Sequence, residues 1–181
     1  MKKIAVLICA LVCAIAAALA AEETAQAQSP QGEAPQRTTA TYEDWIVQCE
    51  TQTQAPRQKV CDMAQTTQLS GKNVLFSRVA IAHPVKGQPV RLVVQLPVNV
   101  SFATQTRIQT SDADPGIAAP FARCIPNGCF ADFELKDDTV KRFRAASAVG
   151  KLSFADSTGH EVAVPMSFKG FNQAFEALAK D

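Results

Sequence analysis

The sequence predicts an all-β domain, an antiparallel sandwich or barrel-like fold with a short C-terminal helix and two hairpin disulfides. Three observations carry that prediction. Pro89 to Pro97 alternates strictly: Val90, Leu92, Val94 and Leu96 fall on one face, and Arg91, Val93 and Gln95 on the other, as in a sheet packed on one side. Turn formers such as Asp114-Pro115-Gly116 and Ser157-Thr158-Gly159 recur between short apolar runs, which argues for antiparallel strands rather than βαβ units. Finally, four cysteines, Cys49, Cys61, Cys124 and Cys129, lie downstream of an export signal, an even count where paired thiols persist.

The export signal is read from the first twenty residues. Lys2 and Lys3 make a basic start, Ile4 to Ala16 an apolar stretch, and Ala18-Leu19-Ala20 the small-x-small pattern of a cleavage site. Residues 1–20 are therefore a signal peptide, with Ala25-Gln26-Ala27 offering an alternative cut after residue 27. The apolar run is about 17 residues long and has no basic stop-transfer flank, so no membrane span is expected once it is removed. Cys9 follows Ile8 rather than the small residue a lipoprotein site needs, which argues against lipidation. The expected location is periplasmic or secreted. Residues 21–41, rich in Gln, Thr, Ala, Pro and Ser, read as a disordered leader, because they lack apolar periodicity to offset the entropy of ordering. Residues 42–181 then form a single β-rich domain.

The 181-residue chain carries a formal charge of +1, and losing Lys2 and Lys3 leaves 16 basic against 17 acidic residues, or −1. That balance offers no electrostatic grip on nucleic acid. Without the signal the apolar share falls to about 42%, ordinary for one globular domain.

Along the folded part, Glu43–Glu50, Lys59–Leu69 and Asn73–Ala82 read as strands, followed by Pro89–Pro97. Further on, Ala131, Phe133 and Leu135 oppose Asp132 and Glu134, Leu152 and Phe154 form a short strand, and Val162, Val164, Met166 and Phe168 share a face. About eight strands result. Asp137-Asp138 can cap a short helix running to Ala146, with Val140 and Phe143 turned inward. Phe171, Ala174, Phe175 and Leu178 make an i, i+3, i+4, i+7 stripe that predicts a closing helix packed on the sheet.

Four cysteines permit three connectivities, and the favoured one pairs Cys49 with Cys61 and Cys124 with Cys129. Each pair brackets a turn-rich stretch, the second being Ile125-Pro126-Asn127-Gly128. Zinc thiolates come at tighter spacing in both pairs, and a redox-active pair would be C-x-x-C opening a helix, so neither metal nor thiol chemistry is expected.

Catalysis would have to rest on one of two histidines, His83 beside Pro84 or His160 beside Gly159, and neither lies in a recognisable motif. Asp112-Ala113-Asp114-Pro115-Gly116 departs from a calcium loop, having Gly116 at the fifth position and Arg123 where the bidentate Glu belongs. Lys141, Arg142 and Arg144 form the densest basic cluster, offset by Asp137 and Asp138, and read as a solvated helix face. Trp45 shares a strand face with Val47 and Cys49 and is assigned to the core. No catalytic residue, metal ligand or cofactor site is expected.

The order of these features resembles the invasion associated locus B (IalB) family of exported bacterial proteins. The similar points are Trp45 four residues before Cys49, Cys61 followed by Asp62-Met63, Leu96-Pro97 at a strand exit, Cys124-x₄-Cys129, and Gly170-Phe171 leading to Ala174 and Leu178. They run from Tyr42 to Leu178. The resemblance implies a β-rich periplasmic or secreted protein without known catalysis, linked in some pathogenic members to host-cell entry, and it supplies no catalytic residues. The expected function is that of a non-catalytic binding or structural protein of the envelope, with an unidentified protein, envelope or host-surface partner. A periplasmic hydrolase or its inhibitor is the first alternative, and a lipocalin-like small-ligand carrier the second.

Overall fold

The computed structural model describes residues 36–53, 55–71, 74–82, 88–146 and 149–180. Residues 1–35, on which the expected signal peptide and most of the expected leader fall, and His83 lie outside the described residues. Ten strands are present among them: β1 (Gln36–Tyr42), β2 (Trp45–Thr51), β3 (Lys59–Gln68), β4 (Leu75–Ala82), β5 (Arg91–Leu96), β6 (Gln105–Gln109), β7 (Ile117–Ile125), β8 (Gly128–Glu134), β9 (Val149–Ala155) and β10 (Glu161–Ser167). Two helices accompany them, α1 (Asp137–Ala145) and α2 (Phe171–Ala179). The strands form one antiparallel sheet in the order β1-β2-β3-β4-β5-β8-β7-β6-β9-β10, curled into a half-barrel.

Two strands more than expected are found, and residues 36–41 of the expected leader belong to the sheet. Gln36–Tyr42, assigned to the leader on composition, pairs with β2 from Gln36↔Thr51 to Tyr42↔Trp45. It is a polar edge strand exposed along nearly its whole length, so it has no apolar periodicity to betray it. β6 escaped the reading because Ile108 is its single large apolar residue, and β7 because Pro120 interrupts it. That proline marks the point where the sheet changes direction. β7 pairs with β6 up to Pro120 and with β8 from Phe121 onward, with a bulge between Phe121 and Arg123. A residue without an N–H is tolerated where the ladder changes partners.

The curl is closed by side chains. Trp45 Nε1 and Gln65 Nε2 both donate to the Ser167 carbonyl at the end of β10, at 3.1 and 2.7 Å, and the Ser167 N–H donates to Gln65 Oε1 at 2.9 Å. The Ser167 hydroxyl donates to Asp44 Oδ2 at 2.6 Å. The end of β10 is thus tied to β2 and β3 without a strand ladder. α2 then lays its apolar stripe on β1, β2 and β3, burying Phe171, Ala174 and Leu178. The chain enters α2 through Gly170, whose φ is 78° and whose missing Cβ would overlap the Tyr42 carbonyl; no other residue fits there without displacing β1.

Inner faces alternate as predicted. Trp45, Val47 and Cys49 on β2 meet Met63 and Cys61 on β3, then Ile81 and Val79 on β4, Leu92 and Val94 on β5, and Ala131 on β8. α1 closes over one side of this core with Phe143, which packs on Phe168 at 5.1 Å and Phe171 at 5.6 Å. The Asp137-Asp138 cap is corrected in detail: Lys136 is the N-cap residue and makes no side-chain cap bond, while the two aspartates sit in the first turn and oppose the helix dipole's positive end.

Candidate functional site: a rim of turns

Both disulfides join residues directly opposed on adjacent strands, Cys49↔Cys61 across β2 and β3 and Cys124↔Cys129 across β7 and β8. The first lies on the core face, with both cysteines buried. The second spans a two-residue turn; Cys129 is buried and Cys124 exposed. Gly128, at φ 139°, completes that turn because a side chain there would strike the Leu96 carbonyl. Gln95 Nε2 donates to the Asn127 carbonyl at 2.9 Å and holds the turn against β5.

The ladders bring five connections to one end of the sheet: the acidic β1–β2 turn, Glu43-Asp44, level with Ala64 of β3, and four more that make a rim. Gln68↔Leu75 places the β3–β4 turn there, Arg78↔Gln95 brings the exit of β5 beside it, and Leu96↔Cys129 adds the β7–β8 turn. The loop from β5 to β6 bridges through Val100↔Asp156 to the β9–β10 turn. Phe76 at the start of β4 lies 6.2 Å from Phe154 at the end of β9, which brings the two ends of the rim together across the curl. Eight large hydrophobic side chains are exposed among the described residues, and six are on this rim: Leu69, Val74, Leu75, Val98, Phe102 and Ile125. Phe102, 53% exposed, stacks on Phe121 at 5.2 Å, so it is held outward rather than free to collapse inward. Scattered exposed apolar residues are normal, but six on adjoining turns are not scattered.

The residues considered for chemistry on sequence lie elsewhere or already have partners. His160 is 84% exposed in the β9–β10 turn, its Nδ1 3.0 Å from Thr158 Oγ1 and 3.9 Å from Asp156 Oδ2. Asp156 instead organises that turn. It accepts from the Thr158 hydroxyl at 2.6 Å and from the Thr158 and His160 N–H groups, and the Thr158 hydroxyl is the largest influence holding its carboxyl below the usual range. Asp114 is the most constrained carboxylate. Its side chain is 6% exposed and accepts from the Thr110 N–H and hydroxyl, the Gly116 N–H and Arg142. Burial, the largest influence, raises its pKa, yet these donors together outweigh it and hold the group at about 2. The Asp112–Gly116 segment is therefore a turn clamped to α1.

The basic cluster is likewise spoken for. Arg142 pairs with Asp114, Arg144 lies 3.5 Å from Glu176 and over the Phe175 ring at 5.3 Å, and Lys141 lies 3.7 Å from Asp138. Among the described residues no three metal-ligating side chains come together. The aromatic stripe of α2 packs on Trp45, with ring centroids of Trp45 and Phe171 at 5.4 Å, and Phe171, Ala174 and Leu178 are buried beneath the helix. Two shallow depressions, of about 370 and 200 Å³, lie on the outer face of β2 and β3. Gln48 and Asp62 line both, and the Asp62–Arg78 ion pair borders the smaller.

Comparison with known proteins settles the family. The family model described as "Invasion associated locus B (IalB) protein" matches residues 45–179. The chain belongs to the invasion associated locus B family. Among solved structures, the crystal structure of invasion associated protein B from Bartonella henselae is similar, with a TM-score of 0.66 at 19% identity over 79% of this chain and 96% of that one. That likeness is one of fold. No curated protein matches the chain. Of the features that carry the IalB resemblance, Trp45 locks β10, the cysteines staple two hairpins, and Gly170 admits α2. The rim, in contrast, was not singled out on sequence, because its apolar residues stand singly in turns and show no period. The available signal was the lack of any carboxylate from Gln68 to Leu75, Pro97 to Thr104 and Ile125 to Gly128.

Proposed function

We propose that this IalB-family chain is an exported, non-catalytic recognition protein of the bacterial envelope, and that it acts at an envelope or host surface through the turn rim. The observation that carries the reading is the gathering of six exposed apolar side chains on adjoining turns of a disulfide-clipped sheet. The family's link to invasion supports a role at a surface. His160 stands in an open turn rather than in a cleft beside a buried carboxylate, which favours recognition over hydrolysis. The filled interior of the curl, with Ile81, Leu92, Leu96 and Ile108 all at 2% exposure or less, favours it over the carriage of a small ligand inside a barrel.

The test compares retention of the mature protein on fractionated envelope and on host membranes with that of Phe102→Ser/Ile125→Ser and of Val149→Ser, exposed at the far end of β9. The reading expects retention that the rim variant loses and the Val149 variant keeps, with melting temperatures unchanged. Retention lost equally on Val149→Ser, or unaffected by the rim variant, would contradict it.

A further inference from the structure

We propose that the rim is a lipid-binding edge, and that its occupant is the interfacial region of an anionic phospholipid bilayer. The inference rests on the recognition reading above and names its partner. Geometry is the first ground. The six apolar side chains stand in or beside three separate turns, Leu69, Val74 and Leu75 at one, Val98 and Phe102 at the next and Ile125 at the third. Separate tips suit a fluid phase that closes around each one. They suit a second copy of this chain poorly, because a stable dimer needs roughly 1,200 Å² of continuous complementary surface.

Charge is the second ground. The three connections that bear the apolar tips contain no carboxylate, and Arg123 stands exposed beside Cys124 at the base of the β7–β8 turn, over the Phe130 ring at 5.0 Å. Of the two carboxylates at the fourth turn, Asp156 is occupied by three donors from its own turn, and Glu161 stands exposed at the start of β10, behind the apolar turns rather than among them. The rim thus presents apolar groups with a cation behind them and no opposing anion on the leading tips, the complement of a negatively charged headgroup layer.

The third ground is the polar backbone, which would oppose entry into an interface if it were unpaired. The tips use it internally. The Leu69 N–H donates to the Val74 carbonyl at 3.2 Å, the Asn127 carbonyl accepts from Gln95, and the Thr104 N–H and hydroxyl both donate to the Ser101 carbonyl. Turns closed in this way lose little when water is stripped from them.

The experiment is flotation of the mature protein with vesicles of phosphatidylglycerol and phosphatidylethanolamine, against phosphatidylcholine alone. Binding is expected to the anionic vesicles, to weaken with salt, and to fall about tenfold or more in Phe102→Ser/Ile125→Ser, since each substitution removes a side chain able to enter the interface. Both residues are exposed, so circular dichroism should match that of the parent. Phe102→Trp provides an independent readout: fluorescence at that position should shift to the blue and be quenched by brominated lipid, while buried Trp45 is not. Absence of flotation at every composition, or flotation that the rim variant retains, would overturn the proposal. Rim-dependent capture of a protein without flotation, or a rim-dependent dimer in light scattering, would also overturn it, while leaving recognition through the rim standing. Loss of rim dependence in the envelope-retention assay would remove both.

Discussion

At the scale of single residues, two positions carry consequences that can be measured. Asp114 has its folded pKa held at about 2, below the ordinary 3.8, so it binds protons less readily folded than unfolded. Its contribution is complete above pH 3.8 and is lost as pH falls from there through 2. With allowance for solvent screening the contribution is about 1–2 kcal/mol. Urea midpoints measured from pH 5 to pH 2 should decline, and Asp114→Asn should flatten that decline while lowering stability at pH 7. Gly170 is the second position. Gly170→Ala forces a Cβ onto the Tyr42 carbonyl in a left-handed backbone, and should cost about 2 kcal/mol or more in chemical denaturation. A neutral result would mean that β1 and the start of α2 are not in contact.

At the scale of elements, stability lies in the staples and the β10 closure. Cys49–Cys61 closes a loop of 12 residues' separation on the buried face, and loop entropy assigns it about 3 kcal/mol, against about 2 kcal/mol for the shorter, partly exposed Cys124–Cys129. Replacing the first pair by serines should therefore lower the melting temperature more than replacing the second, the more so because it buries two hydroxyls. Trp45→Phe should cost about 1–3 kcal/mol by leaving a gap and removing a donor from the Ser167 carbonyl. How far elements were legible in the sequence follows from burial. β5, whose inner residues Leu92, Val94 and Leu96 are all nearly inaccessible, announced itself by strict alternation, and α2 by its stripe. β1 did not, because a polar edge strand exposed along nearly its whole length has no pattern to write, and β7 did not, because it serves two partners around a proline. The cysteine pairing was legible because each pair brackets a short turn. The rim was not, since turns from distant parts of the chain meet only once the ladder is drawn.

At the scale of the whole molecule, the curl, the staples and the two helices hold the turns of the rim in one frame, which is how, under the proposed function, isolated apolar side chains act as one surface. A rigid frame lowers the entropy lost on binding, which is what a recognition surface made of turns requires. Denaturing alkylation of the mature protein without reductant should label none of the four cysteines; two or more labelled thiols would remove the staples from the account. The most direct test of the rim as the working surface is photocrosslinking of the mature protein in envelope suspension, with a benzophenone side chain placed either at Phe102 on the rim or at Val149, equally exposed at the start of β9 away from it. Adducts from position 102 and none from position 149 are the predicted result. Equal adducts from both, or adducts from 149 alone, would contradict it.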